Sequence, residues 1–570
     1  MRCRFAAAIF GLILVAACGP SGVSTGPAPS GSQVAPNRIL NIVTQVEPSS
    51  LSEHRALYTT SGDAADAKRL FNASFYLADI QGVARPLLLD QGPQLNTDSW
   101  RVNPDGTMNT IYRLRSNLTW HDGTPFTADD MVLSWQMAKN PDYGVADLKP
   151  MNVMSEAVAV DPHTVAMHWK TTYAGADSLS GRDWSPLPSH LLGSAFQTES
   201  AQVFLARPYW TTQFVGLGPF KLVDWQPGAF VAGSAFDGYA LGRPKIDRIE
   251  VRFATDPNTA VVMLLSGAAD ISVDKTLGFE QGTVLRRQWE INQEGNVLLT
   301  ANNMRYIQVQ FKPEFINPPE IRDVRVRQAL FYALDRQALL DGLQGGQGQI
   351  AEGFLTPDTD YYDQGVRQIT RYPHDPAQAE RLLQSAGLVK QGERAYVTAD
   401  GKRFSFELRS AASDQEAREA AINADLWKQL GADVQTRSLS AEEFKDGEVR
   451  SAYPAFFDTD TSGIAEEVIY VKLYGPNAAT AATRWQGSNR GGYSSPDFDA
   501  LYQQLTTSLE RSAQVDAVLK SARYISEQAL VFPLYYNYGV KARIGALKGP
   551  QATAPSGSTT WAVEQWNWAS

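Results

Sequence analysis

The chain has 570 residues, of which 43% are hydrophobic and 20% charged, a composition typical of a globular protein with room for more than one domain. Its formal net charge is −10, which argues against a nucleic-acid partner because such partners need clustered positive charge. Cysteine occurs only at Cys3 and Cys18, so no disulfide framework is expected and the core must supply the stability.

The N-terminus carries the pattern of an export signal over residues 1–17. Two arginines, Arg2 and Arg4, precede an apolar run, Phe5–Val15, that is too short to span a membrane. The run ends in small residues and Cys18, which resembles a bacterial lipobox; that resemblance implies cleavage before Cys18 and acylation of its side chain. Residues 18–36 are rich in Gly, Ser and Pro, so we expect a lipidated, flexible tether.

The first predicted elements are a strand and a capped helix. Residues 38–44 form a short apolar segment typical of a strand. Further on, Asp122–Pro125 is a predicted turn, and Thr127 offers an N-cap hydroxyl with Asp130 three residues later. The segment 131–135 continues this device as a helix.

The second half alternates helices and strands. A helical stripe of apolar residues runs through 323–334, which leaves Arg325, Arg327 and Arg336 for solvent or acidic partners. Asp375-Pro376 is typical of the start of a helix, here over 377–385. Ser495-Pro496 has the same form before a predicted helix over 497–509.

One segment predicts a β-α-β unit. A strand over 404–408 precedes a helix over 416–430, and a second strand follows over 432–439. Because the two strands are joined through a helix, we expect them to be parallel. The sequence therefore predicts an α/β protein of at least two lobes.

A series of motifs resembles the extracellular solute-binding proteins of family 5, which bind peptides, nickel and related solutes for ABC importers. The motifs follow the family's order over nearly the whole chain after residue 36. They comprise Leu118–Trp135, Gly216–Gly228, Pro244–Val251, Asp256–Ala260, Leu265–Ile271, Asp323–Arg336, Gly492–Leu501 and Phe532–Tyr536. The second of these departs from the family's Gly-Thr-Gly-Pro pattern by having Leu217 in place of Thr.

The resemblance implies a two-lobed periplasmic-binding-protein type II (cluster C) fold with an extra subdomain in the first lobe. Lobe I would comprise 37–298 plus 533–570 with the subdomain at 51–204, and lobe II would comprise 299–532. The implied protein is an exported substrate-binding lipoprotein. Its lipid at Cys18 would anchor it to the cell membrane, and its body would face the periplasm or the cell exterior. It would be a monomer without a cofactor and would deliver an oligopeptide to an ABC permease with its ATPase subunits.

Seven residues are candidates for ligand contact by analogy with peptide-binding members. Glu47 follows the first strand and could contact a cationic group. Phe457 stands where those members have an aromatic residue, and either Asp458 or Asp460 would then pair with the ligand's α-ammonium, depending on the register. Three more candidates, a cation, an aromatic ring and an amide, lie in a later loop: Arg484, Trp485 and Asn489.

Other classes of function remain open alternatives at this stage. Gly22–Gly26 matches a serine-nucleophile pattern but lies in the tether, and Gly346–Ala351 matches a dinucleotide fingerprint but follows a predicted helix. The six histidines are scattered and predict no metal cluster. A cell-envelope hydrolase, an oligosaccharide or nickel-chelate ligand and a sensor role stay as alternatives to peptide import.

Overall fold

The computed structural model describes residues 38–57, 64–145, 149–357, 359–392, 395–411, 413–461, 463, 465–554 and 557–569. The predicted signal, the tether and Cys18 lie outside these described residues. None of the helices within the described ranges combines the length and apolar character that a membrane crossing requires.

The first part of the chain supplies most of the short strands. Its elements are β1 Leu40–Thr44, α1 Ala65–Arg69, β2 Tyr76–Ala78, β3 Ala84–Pro86, β4 Leu89–Gln91, β5 Trp100–Val102, β6 Met108–Leu114, α2 Ala128–Lys139, β7 Met154–Asp161, β8 Thr164–Trp169, α3 Ser189–Thr198, α4 Ala201–Leu205, β9 Phe220–Gln226, β10 Phe230–Ala235 and β11 Arg248–Phe253.

The remaining chain supplies the longer helices and two long strands. Its elements are α5 Pro257–Leu265, β12 Ile271–Ser272, α6 Phe279–Asn292, β13 Gly295–Val309, α7 Val324–Tyr332, α8 Arg336–Gln344, α9 Tyr362–Gln368, α10 Pro376–Ser385, β14 Val389–Gln391, β15 Ala395–Val397, β16 Ser405–Ser410, α11 Asp414–Leu430, β17 Asp433–Ser438, α12 Ala441–Lys445, β18 Phe456–Asp460, α13 Glu466–Tyr470, α14 Pro496–Thr507, α15 Arg511–Glu527, β19 Val531–Ile544, β20 Leu547–Lys548 and β21 Asn567–Trp568.

One ten-stranded sheet runs through the molecule in the order β17-β16-β18-β13-β19-β12-β1-β11-β10-β9. The antiparallel pair β13–β19 lies in its middle, and each of these strands borders a different group of neighbours: β18 pairs with β13, and β12 pairs with β19. The predicted β-α-β unit is confirmed, because β16 and β17 are parallel. A separate five-stranded sheet contains β4, β6, β8 and β7, with β5 paired to β6.

Three large apolar cores accompany this topology. One packs residues from Leu40 to Val273 with residues from Leu547 to Trp566, a second lies within residues 73–241, and a third within residues 307–535. The mixed α/β architecture agrees with the predicted fold class. The exact lobe boundaries stay a prediction.

The opening motif folds as a capped helix start. Thr127 and Asp130 form a capping box at α2, and the Thr127 N–H donates to the Asp130 carboxylate at 2.9 Å. Asp130 is buried and also accepts from Trp120 Nε1 at 3.0 Å and from the Ser189 N–H at 2.8 Å. This turn-and-cap prediction is confirmed, and the carboxylate additionally ties the turn to α3.

His121 joins the opening motif to the glycine-rich motif. Its Nδ1 accepts from the Gly216 N–H at 3.1 Å, so its Nε2 carries the proton and donates to the Gly218 carbonyl at 3.0 Å. Burial lowers the pKa of His121 to about 4, which keeps the ring neutral. The histidine is a structural link between two family motifs.

The predicted helical segment 323–334 is confirmed to within two residues of its end. α7 ends at Tyr332, and a new helix begins at Arg336 because the Asp335 carboxylate caps it by accepting from the Ala338 N–H at 3.0 Å. The prediction that Arg327 faces solvent or an acidic partner is wrong, since this side chain is buried.

Main-chain carbonyls take the place of solvent around the Arg327 guanidinium. It donates to the carbonyls of Ile321 and Arg322 and to those of Gln528 and Ala529, which join α7 to the end of α15. A buried guanidinium can be satisfied by backbone carbonyls, a possibility that the helical pattern alone does not reveal.

A buried aspartate, a half-buried aspartate and a lysine tie α1 to β19. Asp274 accepts from the Asp66 N–H at 2.7 Å, and Asp66 in turn accepts from the Asp274 N–H at 3.1 Å. Lys541 Nζ lies 2.9 Å from Asp66 Oδ2. Burial and the nearby Asp66 charge raise the pKa of Asp274 to about 7, whereas Lys541 and Arg69 outweigh burial and lower the pKa of Asp66.

This pair predicts a pH-dependent stability. Between about pH 4 and pH 7 the folded chain binds one more proton at Asp274 than the unfolded chain, so this group's contribution falls as pH rises through that range. Allowing for partial exposure, we expect Asp274→Asn to remove about 2 kcal/mol of this pH dependence in urea unfolding. Wild type and variant with parallel pH profiles would contradict the assignment.

Candidate ligand-binding site

The loop after β1 is held by the glutamate that the sequence offers as a ligand contact. Glu47 Oε1 accepts from Trp225 Nε1 at 2.9 Å, and its Oε2 accepts from the Gly228 N–H at 2.9 Å. Both carboxylate oxygens thus fix the loop to the β9–β10 hairpin. The half-buried Glu47 has a structural role in this form of the protein.

A buried charge cluster lies between β13, β18 and α11. Arg305 donates to Asp458 Oδ1 at 2.9 Å, to Glu419 Oε1 at 3.1 Å and to Glu416 Oε1 at 2.8 Å. Arg305, Glu419 and Asp458 have side chains at most 3% exposed. Asn423 Nδ2 donates to the other Asp458 oxygen at 3.1 Å.

The acids of this cluster outnumber the cation, so they must share protons. Burial and the adjacent Glu419 raise the pKa of Asp458 well above its ordinary value, although Arg305 opposes the shift. Asp458 therefore pairs with a cation of its own chain and is fully buried.

Asp460 ends the same strand in a different environment. Its side chain is half-buried, and Asn303 Nδ2 on β13 donates to its Oδ2 at 3.0 Å. The Asn303 amide oxygen is buried without a hydrogen-bond partner among the described residues. The carboxylate lies near the Tyr306 hydroxyl, and it favours the charged form of Lys472, which lies after α13.

Arg450 and Arg490 lie near Lys472, the cation whose charged form Asp460 favours. Arg450 Nε and Arg490 Nη1 are buried without hydrogen-bond partners in the described part of the chain. Burial lowers the pKa of Lys472 to about 8; Asp460 opposes this shift, and Arg490 and Arg450 add to it. These side chains form a cationic surface with one carboxylate at its edge.

Residues from the first and second halves of the chain meet close to this region. The Lys149 ammonium lies 5.7 Å from the centre of the Tyr502 ring, a cation–π contact. Burial and the nearby Asp183 raise the pKa of Glu467 on α13, while Lys149 opposes the shift. Residues of α13 and α14 therefore lie near Lys149 and Asp183.

The sequence model of a family described as "Bacterial extracellular solute-binding proteins, family 5 Middle" matches residues 91–476, more than half of the chain. The chain belongs to this family. The assignment confirms the predicted resemblance, and it places the chain among binding proteins and not among enzymes.

Several relatives and solved structures are similar to this family 5 protein. The glutathione-binding protein GsiB of Pectobacterium atrosepticum is 30% identical over 51% of this chain and 52% of that protein. The oligopeptide-binding protein AppA of Bacillus subtilis is 24% identical over 58% and 59%. The matched region thus spans little more than half the length of these relatives.

Solved structures extend the likeness in fold to nearly the whole chain. NikZ from Campylobacter jejuni, in complex with Ni(L-His), has a TM-score of 0.73 at 21% identity and covers 94% of this chain and 100% of that chain. AppA of Bacillus subtilis, with a nonapeptide, has a TM-score of 0.68 at 19% identity and covers 94% and 99%. These matches confirm the predicted two-lobed α/β fold class.

The remaining predicted contacts of this family 5 protein lie in two places. Phe457 is buried against Tyr453, with ring centres 5.6 Å apart, on the strand that carries both aspartates. Arg484 is exposed and has a left-handed backbone conformation. Trp485 is half-buried, and the Lys312 ammonium lies 5.3 Å from the centre of its ring.

Asn489 has a structural role in the same loop. Its side chain is buried, its Nδ2 donates to the carbonyls of Tyr474 and Tyr493, and its Oδ1 accepts from the Tyr493 N–H. The ligand contacts predicted for these loop residues stay predictions.

Sequence reasoning missed Arg450, Lys472, Arg490 and Asn303. The first three are far apart in the sequence, and no local spacing relates them. Arg490 directly follows the last residue of the predicted loop, which is the one signal that could have drawn attention to it. Within the described residues there is no group of three or more His, Cys, Asp and Glu suited to hold a metal ion.

Proposed function

We propose that this family 5 protein captures an oligopeptide-like solute between two closing lobes and delivers it to an ABC permease with its ATPase subunits. The observation that carries the proposal is the polar site at the end of β18. Asp460 and the Asn303 amide oxygen offer acceptors for a ligand ammonium, and Arg450 and Arg490, each with an unpartnered guanidinium nitrogen, lie near Lys472. A peptide supplies both complementary charges.

The geometry supports Asp460 over Asp458 as the acid that receives the ligand ammonium. Asp458 is fully buried, with one oxygen taken by Arg305 and the other by Asn423. Asp460 is partly exposed at the strand end. A ligand cation could therefore reach Asp460 without disrupting the buried pair of Arg305 and Asp458.

Closure would take place about the β13–β19 pair, which lies between the two groups of strands in the large sheet. Lobe I is then 37–298 with 533–570, and lobe II is 299–532, as the resemblance implies. The proposed anchor is an acylated Cys18, supported by the apolar run and the small residues before it. The tether 18–36 would hold the lobes outside the membrane, and the protein would act as a monomer.

Thermal unfolding of the purified protein with ligand libraries tests the proposal. A ligand that binds only the folded state at 100 times its Kd stabilises it by about 2.7 kcal/mol, so for a chain of this size we expect peptides of two to five residues to raise the Tm by roughly 2–3 °C. Asp460→Asn should reduce this shift without lowering the Tm of the unliganded protein by a comparable amount.

Parallel screens with oligosaccharides and nickel chelates serve as the comparison. A Tm shift with nickel chelates or sugars and none with peptides at millimolar concentration would overturn the peptide proposal. A sensor role would be favoured if deletion of the protein left peptide uptake intact.

A further inference from the structure

We propose that Arg450, Lys472 and Arg490 form an anion subsite that binds a carboxylate of the ligand and makes this protein selective for acidic peptides. This inference rests on the proposed function and specifies its substrate class. The three side chains come from three separate segments of the chain, and hydrogen bonds of the fold bring them together.

Two of these segments meet at consecutive residues just beyond β13. Gln310 Nε2 donates to the carbonyl of Ser451, the neighbour of Arg450, at 3.0 Å. The Phe311 N–H donates to the carbonyl of Gly491, the neighbour of Arg490, at 2.8 Å. The two arginines are therefore fixed on either side of one short stretch of backbone.

The third segment is fastened to the second. Asn489 Nδ2 donates to the Tyr474 carbonyl at 3.1 Å, which ties the chain just after Lys472 to the chain just before Arg490. A Cβ at Gly491 would lie 2.3 Å from the Val309 carbonyl oxygen, so this loop is pressed directly against β13. The arrangement is set by the fold and not by a flexible surface loop.

The cations of this subsite lack anions of their own. Among the described residues none of the three forms a salt bridge or a side-chain hydrogen bond, and Arg450 contacts only the Phe444 ring as a cation, at 5.2 Å from its centre. Nearby cations such as Lys312 are satisfied by carbonyls, in that case by Ala479 at 2.7 Å. A buried cation without partners is costly, and a ligand anion would remove that cost.

The charges facing the subsite are unequal. The Asp460 carboxylate favours the charged form of Lys472, and Asp446 favours the charged form of Arg450. Arg450 and Arg490 both disfavour the charged form of Lys472. Repulsion among three gathered cations favours an anionic ligand group over a neutral one. Guanidinium groups also bind carboxylates through two parallel hydrogen bonds, which adds geometric selectivity.

Isothermal titration calorimetry with matched tripeptides tests this inference. The peptides are Ala-Glu-Ala, Ala-Gln-Ala, and both with an amidated C-terminus. We expect loss of the recognised carboxylate to weaken binding roughly 10–100-fold, the range of a charge-assisted hydrogen bond. Dependence on the side-chain carboxylate supports selection of acidic residues, and dependence on the terminal carboxylate alone overturns that selectivity.

Variants identify the cations. Arg490→Gln and Lys472→Gln should each weaken Ala-Glu-Ala by about tenfold or more and leave the amidated Ala-Gln-Ala nearly unchanged. Arg490→Lys should keep part of the affinity because it retains the charge. Arg367→Gln, an exposed residue on α9, is the matched control and should change nothing.

The outcomes separate the two proposals. If no peptide binds, the proposed function fails; if all four peptides bind with similar affinity, only the anion subsite fails. Normal unfolding temperatures for Lys472→Gln, with unchanged discrimination between Glu and Gln peptides, would also overturn the subsite.

Discussion

Replacement of Arg305 by Met is expected to lower the free energy of unfolding by about 3–5 kcal/mol, the typical cost of removing one partner from a buried ion pair. Arg305 is the cation bonded to Glu416, Glu419 and Asp458, and its side chain is only 3% exposed. Without it, the buried carboxylates repel one another and must take up protons. Urea or guanidinium unfolding measures the loss.

The loss should depend on pH in a defined direction. Without the cation the pKa values of the buried acids lie higher in the folded variant than in the unfolded chain, so the variant loses stability as pH rises. The difference from wild type should therefore be larger at pH 8 than at pH 5. The double variant Arg305→Met with Asp458→Asn should recover part of the loss because one acid is removed with the cation.

Arg523→Met provides the matched control for this experiment. Arg523 forms an exposed pair with Glu527 on α15, with side chains 63% and 44% exposed. Exposed pairs contribute about 0–1 kcal/mol, so this variant should stay near wild-type stability. Equal losses for the two methionine variants would contradict the role assigned to the buried cluster.

Replacement of Gly218 by Ala is expected to destabilise the protein by about 3 kcal/mol or more. A Cβ at this position would lie 2.2 Å from the carbonyl carbon of Phe71 and 2.3 Å from the Asn72 nitrogen, both backbone atoms. The two segments of the chain are also held together here, since the Gly218 N–H donates to the Phe71 carbonyl at 3.1 Å. Backbone cannot move aside as a flexible side chain can, so overpacking here exceeds the usual 1–3 kcal/mol range.

Gly193→Ala is the control and should act in the opposite direction. Gly193 lies within α3, and a Cβ there meets nothing within 4 Å. Alanine is favoured over glycine in a helix by about 0.5–1 kcal/mol, so the variant should be slightly more stable. Thermal or urea unfolding of both variants gives the comparison, and an unchanged stability of Gly218→Ala would contradict the close approach.

The clash at Gly218 also explains the form of the glycine-rich family motif. Gly216 has the same constraint, with the Phe71 carbonyl oxygen 2.2 Å from its hypothetical Cβ, whereas Leu217 between them points into an apolar core. The departure from the family's usual Thr at 217 is therefore compatible with the fold. The two glycines are required by the backbone of a segment about 145 residues away in the sequence. A pattern of neighbouring residues cannot reveal a contact over that separation.

Local chemistry in the sequence determined much of the fold. The capping box of Thr127 and Asp130 and the Asp375 cap of α10 follow from side chains within a few residues of each other, and the parallel pairing of β16 and β17 follows from the single helix that joins them. Helix starts and short strands depend on such neighbours, so their pattern is visible in one sequence. The series of motifs also determined the family before any contact was known.

Only the tertiary structure decided which charges meet. The strand Phe456–Asp460 carries two aspartates two residues apart, and sequence alone could not assign a partner to either. Tertiary packing joins the Asp458 carboxylate to Arg305 by a hydrogen bond and places Asp460, at the strand end, near Lys472. Burial and long-range pairing set the cost of each charge, and neither is a property of the residue's near neighbours.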